Sequence, residues 1–521
     1  MTTEHGGGLS DGLHTLGRWT ADRAGATPER VAIDDRGVTL RYRDLEDRAA
    51  SLAGALAAAG YAPGDRIATL GGNSSDQVVL FFACAKAGLV LAPLSWRLAP
   101  AELADQLATA DPALLLVEPE FAALAGAALA AMLAPPATAA PGPGGVEASV
   151  PGPARHSGAL AHPRPVPDDA PLLMLFTSGT EGPAKAAVLT HANCFWTNLS
   201  LSRTLDMGSR DVVLAVMPQY HVGGWNIQPL LAWWTGATVV LERTFDAGRV
   251  LQLLEDRAVT TMMGVPSHYQ MLAEHPRFAD ADLSALRLAV VGGAPMPPAL
   301  LRDWHRRGVR LVQGYGLTEA GPNVLCLPAE DATRMVGFAG RPYPHVEVRV
   351  ADPATGRILR GAGTGELLVA GPGVFAGYFR DPKATCAALA GGWLRTGDVV
   401  ERDADGYLRV VGRLRDIFIS GGENVAPAEI ESVLQGHPGV AEAAVVGVPD
   451  GRWGEVGEAY VVRRPGVAVD AQELAEHCSG RLAAFKRPAR FHFVAELPHS
   501  GLDKISRARL RADARATAAG Q

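Results

Sequence analysis

The sequence predicts an α/β protein with a large N-terminal domain of parallel-type sheets and helices, followed by a small α+β domain. Short apolar strands that end in glycine-rich turns alternate with amphipathic helices through most of the chain, which is typical of a parallel sheet. After Asp398 the pattern changes to strand pieces and short helices. Charged and glycine residues at Gly412–Asp416 separate the two patterns, so we divide the chain into residues 1–412 and 413–521.

The composition is that of a soluble enzyme. Of 521 residues, 48% are hydrophobic, and the net charge of −7 gives no reason to expect nucleic acid or an anionic membrane as a partner. The longest apolar stretch, Val78–Leu94, is interrupted by Lys86 and predicts a buried helix running into a strand, not an integral membrane segment. The Arg-rich tail from Lys504 to Arg515 predicts a solvated helix face.

The cysteines and the N-terminus indicate a cytoplasmic location. Five cysteines are scattered without C-x-x-C spacing, so we expect neither a disulfide framework nor a zinc site. The start M-T-T-E-H-G-G-G has no apolar core, so we expect no signal peptide. These features leave the oligomeric state open, with a homodimer as one option.

An Ala-, Pro- and Gly-rich insert extends from residue 122 to about residue 167. Its first part is compatible with a helix. The remainder, which includes P-A-T-A-A-P-G-P-G-G, predicts a flexible surface connection.

A phosphate-binding loop is predicted after the apolar strand Leu172–Phe176, where the chain reads T-S-G-T-E-G-P-A-K. Glycines let backbone N–H groups turn toward an anion, while the hydroxyls add donors and the lysine adds charge. The spacing differs from the Walker pattern, and an ordinary tight turn is the alternative. The candidate nucleotide-binding residues are Thr177, Ser178, Gly179, Thr180, Glu181, Gly182 and Lys185.

Three further strands end in turns of similar character. Val212–Met217 runs into P-Q-Y-H-V-G-G-W, Leu286–Val291 into G-G-A-P, and Val309–Gln313 into G-Y-G-L-T-E-A-G. Because ligands of open α/β sheets sit outside the carboxyl ends of the strands, we expect these turns to converge on one site.

Together with W-L-R-T-G-D at 393–398 and G-R-L-R-D-I-F-I-S-G-G-E-N-V-A-P-A-E-I-E at 412–431, these motifs resemble those of acyl-CoA synthetases, the fatty-acyl and aryl-CoA ligases of the adenylate-forming superfamily. The resemblance implies ATP, Mg²⁺ and coenzyme A, and a reaction in two steps. A carboxylate attacks the α-phosphorus of ATP to give an acyl-adenylate and pyrophosphate, and a thiol then displaces AMP. The alternatives are a stand-alone enzyme that loads a carrier protein in trans, and a non-catalytic nucleotide-binding protein.

The resemblance also implies the residues of the adenylation step. Lys504 matches the lysine that reaches the carboxylate and the α-phosphate, although Leu502-Asp503 stands before it where relatives usually have Ser-Gly. Glu319 is implied as the magnesium-associated carboxylate, with the hydroxyls of Thr180 and Thr318 beside it.

For the nucleoside, the resemblance implies that Tyr315, followed by Gly316, stacks on adenine and that Asp398 binds the ribose with Arg413 on the same side. Core packing of Tyr315 and an ordinary salt bridge of Asp398 are the structural alternatives. The opposite adenine wall is assigned to Gly293, Ala294 and Pro295, whose small side chains admit a flat base.

The thiol step is assigned to the second domain. Arg415 occupies the position of the hinge residue about which that domain rotates, where relatives commonly carry Asp or Lys. After rotation, Ser420, Gly421 and Gly422 are expected to line a channel for the pantetheine arm.

The acyl pocket is assigned to His221, Gly224, Trp225, Val265 and Gly314. Relatives that activate α-amino acids carry an aspartate in the Q-Y-H-V-G-G-W segment, and this chain has none, so we expect a different acid. Trp225 and Val265 predict an apolar acid of moderate size, either medium-chain aliphatic or aryl. His221 is expected near the carboxylate, with a hydrogen-bonded structural histidine as the alternative.

Overall fold

The structure, a computed structural model, describes residues 12–141, 145–146, 165–177, 184–420, 423–479, 481–500 and 504–519. The α-helices are Trp19–Ala26, Tyr42–Ala58, Ser75–Ala87, Pro100–Ala110, Ala122–Ala130, His191–Ser202, Pro229–Thr235, Ala247–Asp256, Pro266–Glu274, Pro298–Arg306, Pro382–Ala388, Pro427–Gln435, Ala471–Ser479 and Arg507–Ala519. Short 3₁₀ turns lie at Leu16–Arg18, Pro119–Phe121, Val222–Gly224, Pro276–Ala279, Thr318–Ala320, Ala329–Asp331 and Ala484–Lys486.

The first sheet has a parallel centre and antiparallel edges. In spatial order its strands are Arg341–Pro342, Asn323–Cys326, Leu311–Gly316, Leu288–Val291, Thr261–Gly264, Val212–Ala215, Thr238–Leu241, Val31–Asp35 and Val38–Arg41. The central strands are buried and almost wholly apolar, as expected for parallel strands that helices cover on both faces.

The second sheet is also mixed. In spatial order its strands are Gly377–Tyr378, Lys185–Thr190, Pro171–Thr177, Val90–Leu94, Arg66–Leu70, Leu114–Val117 and Ala137–Ala139. The last of these pairs in parallel with Leu114–Val117. The prediction of a flexible connection was therefore wrong for Ala137–Ala139, while the expected helix is present at Ala122–Ala130. Residues 142–144 and 147–164 of the insert lie outside the described residues.

The third sheet and the C-terminal sheet are built from hairpins. In the third sheet, Glu347–Ala351, Gly363–Ala370, Trp393–Arg402 and Leu389–Ala390 follow in spatial order, and Leu408–Arg413 also pairs with Trp393–Arg402. The C-terminal sheet contains Glu423–Val425, Phe418–Ser420, Gly454–Arg463 and Val440–Asp450, with Arg490–Val494 parallel to Gly454–Arg463. A small hairpin joins His499–Ser500 to Lys504–Ile505. The chain passes from the third sheet to the C-terminal sheet between Arg413 and Phe418.

The helix Ser75–Ala87 belongs to the main core of the N-terminal part. The Ser74 hydroxyl accepts the Gln77 N–H at its start, and Gly88 ends it in the left-handed conformation. It is apolar almost all round because it is packed on several sides, and Phe81 stacks on Trp225 with ring centroids 4.8 Å apart. The predicted buried helix followed by a strand is confirmed.

Among the described residues, no helix is both long and apolar enough to span a bilayer. All five cysteines are free thiols.

A second core cluster forms where the helices Ala247–Asp256, Pro266–Glu274 and Pro298–Arg306 pack on the first sheet. The contribution of this packing to stability can be tested at Trp304. Trp304 is fully buried, donates its indole N–H to the Tyr269 carbonyl at 3.2 Å, and meets the rings of Tyr269 and Phe278 edge-on. We expect Trp304→Ala to lower the free energy of unfolding by about 3–5 kcal/mol in urea titrations, since it leaves a cavity. Trp453→Ala, at a 45% exposed position, is the control. Equal losses in the two variants would contradict this account.

Candidate active site

The carboxyl ends of the central parallel strands meet at one edge of the first sheet. The Gly292 N–H donates to the Gly264 carbonyl at 3.2 Å, which joins the turns after two of these strands. The Gln313 side chain accepts the Met296 N–H at 3.3 Å and so ties a third strand end to the same place. The predicted adenine wall, Gly293, Ala294 and Pro295, is exposed at this edge.

Asp398 is the centre of a polar cluster at this edge. Only 3% of the residue is exposed, yet both carboxylate oxygens are engaged. The Tyr315 phenol donates to Oδ2 at 2.6 Å, and Arg413 Nε lies 2.9 Å from Oδ1. Burial, and then the Asp398 carboxylate, raise the pKa of the Tyr315 phenol, so it remains a donor at neutral pH. The structure thus brings together three residues that the sequence assigned to the nucleoside.

The turn that carries Asp398 is held by Glu366, which the sequence analysis did not single out. Glu366 is 2% exposed and pairs with Arg395 at 2.6 Å, while its other oxygen accepts the Gly397 N–H at 3.3 Å. The Thr396 hydroxyl accepts the Asp398 N–H at 3.0 Å. These bonds fix the backbone on both sides of the turn, which orients the Asp398 carboxylate.

Tyr378 lies between the 3₁₀ turn Thr318–Ala320, called here the Glu319 turn, and Lys185, which begins the strand after the predicted phosphate-binding loop. Its phenol donates to Glu319 Oε1 at 2.8 Å, and Lys185 Nζ lies 5.2 Å from the centre of its ring, as in a cation–π contact. Burial, and then Glu319, raise the pKa of this phenol. Tyr378 was missed by the sequence analysis because a lone tyrosine in G-V-F-A-G-Y-F-R carries no chemical signal.

The remaining phosphate-side residues are placed only in part. Thr177 ends one strand of the second sheet, and its hydroxyl donates to the Lys185 carbonyl at 3.4 Å. Thr318 begins the 3₁₀ turn that holds Glu319. Gly316 is required by close approach, since an added Cβ would stand 1.7 Å from the Pro322 carbonyl oxygen. Ser178, Gly179, Thr180, Glu181 and Gly182 lie outside the described residues.

The loop predicted to form the acyl pocket is held by buried amides. Asn73 accepts the Gln219 N–H at 2.8 Å and donates to the carbonyls of Met217 and Glu242 at 3.0 and 3.1 Å. The Gln219 side chain accepts the Ser74 N–H at 3.0 Å. Neither amide was predicted from sequence: Asn73 lies in a segment without a recognisable motif, and Gln219, although part of Q-Y-H-V-G-G-W, has a partner distant in the chain.

The residues assigned to the acyl pocket differ in their placement. His221 is partly exposed and packs against the Tyr220 ring at 4.6 Å. Gly224 allows a tight turn, as an added Cβ would lie 2.4 Å from the Pro218 carbonyl oxygen. Trp225 is 0% exposed, stacks on Phe81 and donates to the Gln219 carbonyl at 2.6 Å. Its ring therefore lies in the core and not on a surface open to a ligand.

Two wall residues of the predicted pocket stand beside the strand ends. Val265 is 6% exposed, and an added Cβ on Gly293 would lie 3.4 Å from its Cγ1 atom. An added Cβ on Gly292 would lie 3.4 Å from the Gly314 carbonyl oxygen and 3.5 Å from Met263 Cε. Backbone atoms and the apolar side chains of Val265 and Met263 thus pack closely around Gly292 and Gly293.

Asn226 follows residues 218–225, the loop predicted to form the acyl pocket and called here the acyl loop. Its side chain connects this loop to the turn that carries Glu319. It is fully buried and donates from Nδ2 to the Gly321 carbonyl at 2.8 Å, while the Asn323 side chain donates to its carbonyl at 3.0 Å. The Asn198 side chain donates to Asn226 Oδ1 at 3.0 Å. The two loops are therefore joined by a network of buried amide hydrogen bonds.

The C-terminal candidates are only partly described. Ser420 is 2% exposed and lies opposite Gly454 in the C-terminal sheet. Arg415 follows the third sheet, and its carbonyl accepts Arg511 Nη2 at 3.2 Å. Lys504 lies in the small hairpin, opposite Ser500. Gly421, Gly422, Leu502 and Asp503 lie outside the described residues.

Comparison with known families accounts for both parts of the chain. A profile of the AMP-binding enzyme matches residues 20–379, and one of the AMP-binding enzyme C-terminal domain matches residues 429–504. The chain belongs to the AMP-binding enzyme family. Acid–CoA ligases that are 39–41% identical over nearly the whole chain make it an enzyme of the AMP-forming acid–CoA ligase group within that family, as the resemblance predicted.

The relatives of this AMP-binding enzyme act on different acids. Feruloyl-CoA synthase of Amycolatopsis sp is 41% identical, over 95% of this chain and 98% of the relative. Indoleacetate–CoA ligase of Aromatoleum aromaticum is 39% identical, over 94% and 96%. The fatty acid–[acyl-carrier-protein] ligase ScoC of Streptomyces coeruleorubidus is 38% identical, over 96% of each.

Solved structures agree with this assignment. ATP-bound MatB from Rhodopseudomonas palustris superposes with a TM-score of 0.86 at 32% identity, covering 96% of this chain and 98% of MatB. The o-succinylbenzoate CoA synthetase MenE from Bacillus subtilis, in complex with an acyl-adenylate intermediate, has a TM-score of 0.83 at 30% identity, covering 95% and 98%.

The Tyr378–Glu319 bond generates a prediction for this enzyme. Tyr378→Phe keeps the ring beside Lys185 and removes only the donor to Glu319. Since a hydrogen bond to a charged group contributes about 1.5–3 kcal/mol, we expect kcat/KM for ATP in pyrophosphate exchange to fall about tenfold or more. Tyr407→Phe, which removes a phenol bonded to Asp331, is the matched control. A loss of the same size in the control would contradict a specific role.

Proposed function

We propose that this enzyme is an ATP-dependent carboxylate–CoA ligase. It activates an apolar carboxylic acid as the acyl-adenylate, with release of pyrophosphate, and transfers the acyl group to coenzyme A. The observation that carries the proposal is the buried Asp398 carboxylate, held by Tyr315 and Arg413 at the edge where the parallel strands end. That edge is where open α/β sheets bind nucleotides.

In the proposed complex, Tyr315 stacks on adenine and Asp398 accepts hydrogen bonds from the ribose hydroxyls. A carboxylate offers about four lone-pair sites, so the two bonds to protein leave acceptor capacity for the sugar. The phenol bond fixes the ring plane of Tyr315 before the base arrives, which lowers the entropy lost on binding. Arg413, 2.9 Å from Oδ1, holds the Asp398 carboxylate in place.

The phosphate side fits a magnesium ion that takes most of its oxygens from ATP and water. Among the described residues no group of three or more His, Cys, Asp or Glu side chains could form a protein-only site. Mg²⁺ bound with nucleotides needs few protein ligands, and Glu319, with Thr180, would supply them. When bound, the ion would neutralise charge on the phosphates. Lys185 and Thr318 would bind phosphate oxygens directly.

The chemistry then needs one more cation. In the first step a carboxylate oxygen bonds to the α-phosphorus as the bond to pyrophosphate breaks, and we assign Lys504 to stabilise the negative charge that builds there. In the second step the thiol sulfur attacks the acyl carbon, its proton is lost, and AMP leaves with the bonding electrons. For that step the second domain would turn about Arg415 and present Ser420, Gly421 and Gly422 to the site.

For the acid we favour an aryl substrate over a medium-chain aliphatic one. Val265, Met263 and the Gly314 backbone lie 3.4–3.5 Å from where a Cβ on Gly292 or Gly293 would stand, so this wall is smooth and largely apolar, which suits a flat ring. Feruloyl and indoleacetyl ligases are among the relatives. His221 would lie near the reacting carboxylate.

A carrier protein supplied in trans is the second candidate acceptor, because one relative is a ligase of fatty acids to acyl-carrier protein. It would use the same nucleotide residues. The acceptor is therefore tested separately from the acid.

The deciding experiment measures ATP-dependent pyrophosphate release with a panel of aryl and aliphatic acids, with and without coenzyme A, and identifies the products by mass. We expect an acyl-CoA from an aryl acid. Adenylate that accumulates without a CoA thioester would overturn the acceptor and favour the carrier protein. Turnover restricted to aliphatic acids would overturn the acid class.

A second prediction concerns Lys504. We expect Lys504→Ala to slow adenylation by about 10²–10³-fold, the size of effect seen when one charge-stabilising group is removed. Thioester formation from pre-made acyl-adenylate should be largely retained. Lys486→Ala is the control, since Lys486 pairs with Glu429 at 2.7 Å. Equal loss in both half-reactions of the Lys504 variant would contradict the assignment.

A further inference from the structure

The tail from Lys504 to Arg515 is only in part the solvated face that its composition predicts, since Arg509 is exposed but Arg507 and Arg511 are half-buried. The helix Arg507–Ala519, the C-terminal helix, begins three residues after Lys504. Its Leu510 and Ala514 are 2% and 4% exposed and pack in a core cluster with Val446. This apolar contact places the arginines on the adjacent helix face next to the protein interior.

Arg507 binds a buried carboxylate on another helix. Its Nη2 donates to both oxygens of Glu431, at 2.7 and 2.8 Å, and Glu431 is 8% exposed. Glu431 Oε1 also accepts the Val445 N–H at 2.8 Å, so the carboxylate is attached to the C-terminal sheet as well. Burial raises the pKa of Glu431, and the Arg507 guanidinium beside it opposes that shift.

Arg511 binds the segment that joins the two domains. Its Nη2 lies 2.6 Å from Asp416 Oδ1 and donates to the Arg415 carbonyl at 3.2 Å. Asp416 is 8% exposed, and Arg507 Nη1 stands 3.9 Å from its other oxygen. Arg507 and Arg511 are one helical turn apart. Through them the C-terminal helix contacts both the helix Pro427–Gln435, which carries Glu431, and the predicted hinge at Arg415.

We propose that Glu431, Arg507, Asp416 and Arg511 form a latch that makes the C-terminal helix and the hinge segment one rigid piece, so that Arg507 and Arg511 position Lys504 for adenylation. The inference rests on the proposed role of Lys504 and goes beyond it. Without the latch, rotation at the hinge would not carry Lys504 to one defined place. The two arginines are positioning residues, since they contact the hinge and not the nucleotide site.

The latch predicts a loss confined to one half-reaction. In Arg511→Met the pair of Arg507 and Glu431 stays intact, so the fold is retained while the hinge contact is lost. We expect kcat for pyrophosphate exchange to fall about 10- to 100-fold, because a displacement of about 1 Å costs a catalytic group that much. KM for ATP and thioester formation from pre-made acyl-adenylate should change little. Arg507→Met should show the same split, and Arg507→Lys should restore part of it.

Arg509→Met is the matched control, since Arg509 is an exposed arginine of the same helix. We expect no change in either half-reaction. Rates are corrected for the folded fraction by active-site titration. If Arg511→Met lowers both half-reactions equally, or if Arg509→Met matches it, the latch has no positioning role and the inference is overturned.

A double-mutant cycle links the latch to Lys504. If Arg511 acts through Lys504, Arg511→Met should cause little further loss in a Lys504→Ala background. Additive losses would overturn this route of action.

Hydrogen exchange separates this inference from the proposed function. We expect Arg511→Met to raise amide exchange at Arg413–Phe418 and in the C-terminal helix, which needs no assumption about Lys504. If Lys504→Ala spares adenylation, the proposed role of Lys504 fails and the positioning claim fails with it, while exchange still decides the rigid coupling. Unchanged exchange in Arg511→Met would overturn the latch itself.

Discussion

The predicted nucleotide site depends on one buried carboxylate. Asp398 lies on a strand of the third sheet and is bound by Arg413 from the neighbouring strand and by Tyr315 from the first sheet. An ionised carboxylate left unpaired in the interior would cost several kcal/mol, so the two sheets are constrained to the arrangement that satisfies it. Glu366, itself buried and paired, supports the same turn from behind. The contact between the first and third sheets at this edge is made through this carboxylate.

The sequence was most informative for residues that lie in a local motif, such as a turn that directly follows a predicted strand. Hydroxyls and glycines at the strand ends predicted the turns, and the family motifs predicted the cluster of Tyr315, Asp398 and Arg413. The supporting residues could not be found this way. Tyr378, Glu366, Asn73 and Asn226 act through partners distant in the chain, and each is an ordinary residue in its own segment. Trp225 shows the reverse case, since its position in a motif predicted a pocket wall, whereas stacking on Phe81 places the ring in the core.

The C-terminal helix illustrates why charge patterning alone can mislead. Its arginines have the spacing of a solvated face, but Leu510 and Ala514 anchor the helix to the C-terminal core and bring the guanidinium groups to Glu431 and Asp416. No local signal in the sequence marks those acids as partners. Under the latch proposal, ion pairs that would contribute little at an exposed surface acquire a mechanical role, because within the second domain they connect the C-terminal helix to the hinge segment.

The amide contacts of the acyl loop bear on how this enzyme family could be re-engineered. Asn73 forms hydrogen bonds with Met217 and Gln219 at the start of the loop, and Asn226, at its end, donates to Gly321 in the turn that carries Glu319. A loop transplanted from a relative with another acid preference would arrive without these two anchors unless the recipient supplied matching amides. If this loop lines the acyl pocket as proposed, substrate range is not set by the loop alone. Exchanging it would then require moving the loop, the Asn73 segment and the Gly321 turn as a single block.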